Sequence, residues 1–322
     1  MKREPRSSLP RPILWLLLAL SLAAGRGFGA DSVFLFSYFI DNGEDGLHLA
    51  RSEDGLNWTA LGGGRSFLTP VVGENKLMRD PCLLLGPDGV FRMVWTTSWA
   101  GQTIGYASSR DLLHWSEQAA LPVMAQDPTT VNCWAPEVIY DPGRRDYLIY
   151  WASTVPGRFV NSDERATPPG KPVRNHRIYS TTTTDFVHFA PTRLFYDAGF
   201  NAIDATIDDA GPDGWLMFVK DETEQPKAAK SIHLVRAPAA EGPYSAPSPT
   251  IHGNYWAEGP TAIKIGADWY VYFDRYREHR FGLVRSGDLV HWEDISDQLH
   301  LPPGIRHGTV LRVPRSVADA LR

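Results

Sequence analysis

The sequence predicts an all-β fold, a five-bladed β-propeller whose ring is closed by strands from both ends of the chain. Three observations carry that expectation. A short strand with polar residues, an Asp or similar residue and a closing aromatic recurs at 46–58, 103–115, 176–189, 231–244 and 281–292. The closing aromatics Trp58, Trp115, Phe189, Tyr244 and Trp292 lie 57, 74, 55 and 48 residues apart, the spacing of blades rather than of a short solenoid. A compact acidic or histidine motif opens the other half of each unit: Arg79-Asp80-Pro81, Trp134-Ala135-Pro136-Glu137, Ile203-Asp204-Ala205-Thr206, Ala257-Glu258-Gly259-Pro260 and Arg306-His307-Gly308-Thr309. The fifth motif is followed by one strand and no hairpin, while the chain begins with strand candidates at 33–39 and 47–52. The two ends should therefore share a blade, which removes exposed sheet edges.

Taken in order, residues 1–30 read as a secretory signal peptide. Lys2, Arg3, Arg6 and Arg11 precede the apolar run 13–20, and small residues follow, with cleavage expected somewhere within 25–30. The apolar run is too short for stable membrane insertion, so a secreted or periplasmic location is expected. Residues 31–322 form the one catalytic domain expected. Within it Cys82–Leu85 and Val90–Thr96 flank Gly86-Pro87-Asp88-Gly89, the grammar of a hairpin. The same grammar follows Glu137, Asp204 and Glu258. The stretch 156–175 is a long Pro/Gly/charge-rich insertion of the kind that can wall a pocket. No stretch carries a capped helical period, so almost no helix is expected.

Composition narrows the function. The chain has 32 Lys+Arg and 37 Asp+Glu; without the leader these are 27 and 36, a formal charge of −9. That balance, with no basic patch, makes nucleic acid an unsuitable partner. Cys82 and Cys133 are the two cysteines and read as small buried hydrophobes in preference to a disulfide.

In a propeller the innermost strand of each blade lines the axis, so residues opening that strand converge on one end of the tunnel. Asp80, Glu137, Asp204, Glu258 and His307 are five such residues, one per repeat. Crowded carboxyl groups raise at least one pKa, and one acid kept protonated beside one kept ionised is the equipment of a glycosidase. Arg79, Arg275, Trp99, Trp134, Trp151 and Trp256 lie near the motif strands and are candidates to bind sugar, whereas Trp58, Trp115 and Trp292 close the repeats and should pack blades. Asn132 and Asn201 precede acidic motifs and could orient them. Lys220, Asp221 and Glu222 end a hairpin and either reach the pocket rim or form a solvated face, the second being preferred.

On these motifs the chain resembles the glycoside hydrolase family 43 propellers over residues 31 to 313. The resemblance implies an inverting hydrolase without a cofactor for its chemistry, acting on an oligo- or polysaccharide. It implies Asp80 as general base, Asp204 as the residue that tunes and orients the acid, and Glu258 as general acid. It places Glu137 at the second-blade motif and His307 at an axial water or metal, frequently calcium. The expected activity is exo-acting α-L-arabinofuranosidase on plant-type glycans. A β-D-galactofuranosidase, a β-xylosidase and a non-catalytic carbohydrate-binding propeller are the alternatives. A retaining fructan-type enzyme would carry Arg-Asp-Pro on a middle blade, whereas here it is in the first motif.

Overall fold

The structure is a computed structural model that describes residues 31–322; the leader call on residues 1–30 lies outside the described residues. Three strands come first: β1 (Ser32–Tyr38), β2 (His48–Ser52) and β3 (Trp58–Ala60). Blade I follows with β4 (Arg79–Leu85), β5 (Phe91–Thr96), β6 (Ile104–Ser109) and β7 (Ala119–Leu121). Blade II is β8 (Trp134–Asp141), β9 (Asp146–Thr154), β10 (His176–Thr183) and β11 (Arg193–Tyr196). Blade III has three strands, β12 (Ala202–Asp209), β13 (Trp215–Asp221) and β14 (Ser231–Ala237), and blade IV has β15 (Glu258–Ile265), β16 (Asp268–Arg275), β17 (Arg280–Ser286) and β18 (Glu293–Asp294). The last strand, β19 (Thr309–Pro314), pairs antiparallel with β1 from Ser37↔Thr309 to Ser32↔Pro314, so blade V is β19-β1-β2-β3. The expected closure by both ends is what the fold shows. Helix is confined to α1 (Asp163–Ala166), α2 (Arg315–Ala320) and four single 3₁₀ turns among the described residues.

The innermost strands β4, β8, β12, β15 and β19 pack in a ring, each beside the next. The apolar interior is divided accordingly into five clusters, one in each cleft between neighbouring blades. Leu35 of blade V meets Trp95 and Met93 of blade I in one cleft, and Phe36 meets Tyr272 and Phe281 of blade IV in another. Burying alternate residues on both faces of each sheet is the reason the strands read as near-continuous apolar runs.

The repeated polar tag forms a turn. In blade I the Ser109 hydroxyl accepts the Leu112 N–H, Asp111 Oδ1 accepts the N–H groups of Leu113 and His114, and the Trp115 indole donates to the Leu112 carbonyl. Leu112 takes a left-handed backbone (φ 62°) and its side chain is buried; Gly55, Phe186 and Leu289 occupy the same place in blades V, II and IV. Side-chain oxygens that cap successive N–H groups make such a turn self-contained. Blade III has Ala-Pro-Ala-Ala-Glu-Gly-Pro in place of this turn, and its sheet stops at three strands. Trp58, Trp115 and Trp292 pack between blades as expected. Cys82 and Cys133 are buried free thiols, in agreement with the packing reading.

Candidate active site

Four of the inner strands share one irregularity. The ladder slips between Arg79 and Cys82, Trp134 and Glu137, Ile203 and Thr206, and Glu258 and Thr261. Each slip is a bulge whose first residue is left-handed: Asp80 (φ 51°), Ala135 (44°), Asp204 (50°) and Gly259 (58°). The second bulge residue has no ladder partner, and it is proline in three blades, where a missing N–H does no harm. Counting back from Thr309, which pairs with Ser37, puts His307 at the same position as Asp80 and Asp204. The five motif residues therefore occupy three levels, which corrects the expectation that they are equivalent. Asp80 and Asp204 lie at the bulge with His307 level with them, Glu258 lies one residue before it, and Glu137 two residues beyond Ala135.

The bulge level is a charged cluster. Asp80 Oδ2 accepts the Thr96 hydroxyl at 2.8 Å, and its Oδ1 lies 3.3 Å from His307 Nδ1. Thr96 Oγ1 in turn accepts the Ala135 N–H at 2.8 Å, tying blade I to blade II. Burial would push the Asp80 carboxyl up, but the hydrogen bond and charge of His307, with Arg79 and Thr96, outweigh it and hold the group at about 2. Burial would lower the His307 imidazole, yet Asp80 foremost, then Asp204 and Glu137, raise it to about 9. Near neutral pH the two are an ion pair. Asp204 Oδ2 accepts the Gly259 N–H at 3.1 Å, so a carboxyl on blade III holds the backbone next to Glu258 on blade IV. Burial raises the Asp204 carboxyl, opposed by His307 and Lys220 and reinforced by Glu258 and Asp80.

Glu258 sits between two cations. Lys220 Nζ is 3.0 Å from its Oε2, and Arg306 Nη2 is 3.6 Å from its Oε1. Lys220 is 1% exposed and also bonds Glu222 at 2.6 Å, so it belongs to the site and not to a solvated face. Arg306 is anchored by Asp274 at 2.6 Å. Of the two, Lys220 is weighed in the sequence between pocket rim and solvated face, and the rim is where it lies; Arg306 escaped, its place beside the fifth-blade histidine being the one available signal.

Glu137 lies deeper. It is 5% exposed, its Oε2 accepts the Tyr150 hydroxyl at 2.6 Å, and Tyr150 Oη accepts the Ile207 N–H. Burial pushes its carboxyl up to about 7 against hydrogen bonds from Tyr150 and Thr206. This is an interior link between blades II and III, and the expectation that Glu137 binds substrate is corrected. Trp151 is corrected too: at 1% exposure it is packed among Val94, Ile149 and Tyr179 and has no free face. Arg275 points the other way from its neighbour Asp274, stacking 3.7 Å over Tyr255 and pairing with Glu278, so it does not reach Glu258. Asn201 binds His176 and the Arg174 carbonyl, and Asn132 accepts the Thr154 N–H; neither orients an acid.

The remaining sugar-binding candidates line the rim. Arg79 stacks 4.3 Å over Trp99, which is 47% exposed and meets Trp134 edge to face at 5.8 Å. Trp256 lies 6.1 Å from Tyr276, whose ring is 4.9 Å from Lys220 Nζ. The 156–175 insertion folds back on blade III, where the Arg165 carbonyl accepts the N–H groups of Glu224 and Gln225, and encloses a cleft of about 580 Å³. Its last residues bring Arg174 to 4.8 Å over the Trp134 ring.

An axial calcium does not fit the residues at His307. Calcium takes six to eight hard oxygen ligands, whereas His307 is an imidazolium at neutral pH and already faces Asp80. No group of three His, Cys, Asp or Glu side chains suited to a metal occurs among the described residues.

A family model described as a probable glycosyl hydrolase domain, in the group related to glycoside hydrolase family 43, matches residues 31–319. An α-L-arabinofuranosidase of Bifidobacterium longum subsp. longum is 26% identical over 182 residues, which is 50% of this chain but 17% of that protein's length. Similar folds include an α-L-arabinofuranosidase from Lactobacillus brevis, with a TM-score of 0.52 and 15% identity over 68% of this chain and 72% of that one. An exo-β-1,3-galactanase from Clostridium thermocellum aligns with a TM-score of 0.51 and 13% identity over 67% and 47%.

Proposed function

The chain belongs to the glycosyl hydrolase family related to family 43 and is a propeller glycosidase, and from that premise we propose that it is an inverting, exo-acting α-L-arabinofuranosidase. The observation that carries the reading is the bulge cluster: an ionised Asp80 on one blade, and on another Glu258 with Asp204 holding the backbone beside it. In this mechanism Asp80 takes a proton from a water as that water attacks the anomeric carbon. Glu258 gives a proton to the departing glycosidic oxygen, and configuration inverts. His307 keeps Asp80 ionised and aimed. Asp204 fixes Gly259 and through it the direction of Glu258, while Lys220 and Arg306 hold its carboxyl from either side. The arabinofuranose assignment is supported by the Bifidobacterium relative, of which this chain spans about a sixth. The leader-like residues 1–30 add that the substrate is met outside the cytoplasm.

The test separates the two carboxyl groups by leaving group. On aryl α-L-arabinofuranosides both E258Q and D80N should lose on the order of 10²–10⁴ in kcat/KM. A leaving group that needs no protonation should restore much of the E258Q rate and leave D80N slow. Azide should rescue D80N, replacing the unactivated water and giving an arabinosyl azide of inverted configuration. The opposite pattern would overturn the assignment, and failure to cleave arabinofuranosides while cleaving galactosides or xylosides would move the substrate alone.

A further inference from the structure

The proposed general acid stands between cations that would disarm it. Lys220 Nζ at 3.0 Å and Arg306 Nη2 at 3.6 Å both favour the ionised form of Glu258, which has no proton to give. Each cation, however, has a second carboxylate closer to it than Glu258. Arg306 meets Asp274 at 2.6 Å, and Lys220 meets Glu222 at 2.6 Å. The Lys220 side chain is 1% exposed, so water takes little of its charge and the nearer carboxylate takes the larger share.

Glu222 is built into this place. It follows β13 directly, its backbone N–H donates to the Asn201 carbonyl at 2.7 Å, and its other carboxyl oxygen meets Lys230 Nζ at 2.5 Å. Lys230 is 3% exposed and also holds Glu224 at 2.9 Å. Its backbone is left-handed (φ 46°), and its carbonyl accepts the Ala257 N–H at 3.1 Å, one residue before Glu258. Glu224, Lys230, Glu222, Lys220 and Glu258 thus form a row that alternates in sign. Buried ion pairs return little net stability, so a row of them ending on the reacting carboxyl points to a task there.

Other charges bear on the row from neighbouring strands. Asp204 and Tyr276 face both Lys220 and Glu258, and Asp274 faces Glu258. His176 lies near Glu222, its imidazole held neutral by burial, down at about 4. Burial would raise the Glu222 carboxyl, but Lys220 and then Lys230 outweigh it and lower it, so Glu222 is the standing anion of the row.

We propose that Glu222 is a positioning residue for the general acid: by holding Lys220 more closely than Glu258 does, it leaves Glu258 able to keep the proton it donates. It touches no substrate and acts through Lys220. The inference rests on the reading of Glu258 as the acid and deepens it, because it names what sets the pH range over which that acid works.

The experiment is the pH profile of kcat/KM in E222Q, taken on phenyl and dinitrophenyl α-L-arabinofuranosides with the full chain. Removing the anion gives Lys220 to Glu258, and the alkaline limb on the phenyl substrate should move down by about 1 pH unit. The rate should stay within about twofold of the wild type's on the acid side and fall on the order of tenfold below it on the alkaline side. Dinitrophenol leaves without a proton, so the alkaline deficit should vanish with that substrate. E222D keeps the charge and should recover part of the shift. K230Q leaves Glu222 to Lys220 alone and should move the limb up, which tests the row even if E222Q does not fold. A limb that stays in place, a loss equal at every pH, or a deficit that persists with the dinitrophenyl substrate would overturn the inference. The side-chain carboxyl resonance of Glu258, identified in isotope-labelled protein by its absence from E258Q, should titrate lower in E222Q by the same amount, and an unmoved resonance would also overturn it. That readout needs no turnover, so a protein that leaves arabinofuranosides uncleaved fails the glycosidase reading while the coupling of Glu222 to Glu258 is still judged.

Discussion

His307 does for Asp80 what a metal could also do, and it does so with a charge that pH can remove. The Asp80 carboxyl is held at about 2 and the imidazole at about 9, so both are charged between those limits. The depressed carboxyl lends stability above its ordinary value that is lost as pH falls through about 2. The raised imidazole lends stability present below its ordinary value and lost as pH rises through about 9. In H307Q the base loses its cation, and the acid limb of kcat/KM should move up by about 1–3 pH units; a limb that stays in place would remove His307 from this role. Glu137 gives the opposite test. Its carboxyl is raised to about 7, so its contribution is fully present below the ordinary carboxylate range and lost as pH rises through 7. E137Q mimics the protonated form, and between pH 4.5 and 8 the stability difference from wild type should swing in favour of the variant by about 3 kcal/mol at most. Urea unfolding at several pH values would show it. Asp80, Asp204 and Glu258 were legible because each sits in a short motif beside Pro, Gly or Ala. Lys220 was not, since a lysine at a strand end looks the same in sequence whether it faces solvent or two buried carboxylates.

The bulge, present in four of the five inner strands, is the element that turns similar strands into a site. It rotates side chains out of the alternating pattern of a strand, so a reading by motif placed Glu137 and Glu258 at one level when the ladder places them three residues apart. Gly259 is where the device is tightest. Its backbone is left-handed, and a Cβ there would lie 2.4 Å from His307 Cγ. G259A should therefore displace His307 from Asp80 as well as strain the turn, with a loss of about 1–3 kcal/mol in stability and of on the order of 10²-fold in kcat/KM. If G259A retains wild-type turnover, the close approach does not hold the pair. The three strands of blade III follow from the same local chemistry. Tyr244 keeps the aromatic spacing of the repeat, while the Ser-x-Asp turn that precedes the fourth strand of other blades is absent.

At the scale of the whole molecule, closure rests on β1 lying against β19. Gly308 makes that contact: a Cβ there would meet the Ser37 carbonyl oxygen at 1.8 Å, and backbone cannot step aside. G308A should part the closing strands and lower the melting temperature by on the order of 5–10 °C, with activity falling alongside because His307 is the preceding residue. A melt unchanged in G308A would show that the blade has room to adjust. This closure was the most legible feature of the sequence, because an orphan strand at one end and its missing neighbours at the other leave one arrangement that pairs both.

Arg306 and His307 are supplied by the segment that closes the ring, and this bears on how the protein is made. A ribosome releases Asp80 long before His307, the residue that charges and aims it, and β1 waits through almost the whole of synthesis for its partner. Under the proposed division of roles, a nascent or clipped chain without β19 carries its carboxyl groups but should have no hydrolytic power, and activity should arrive only with that strand.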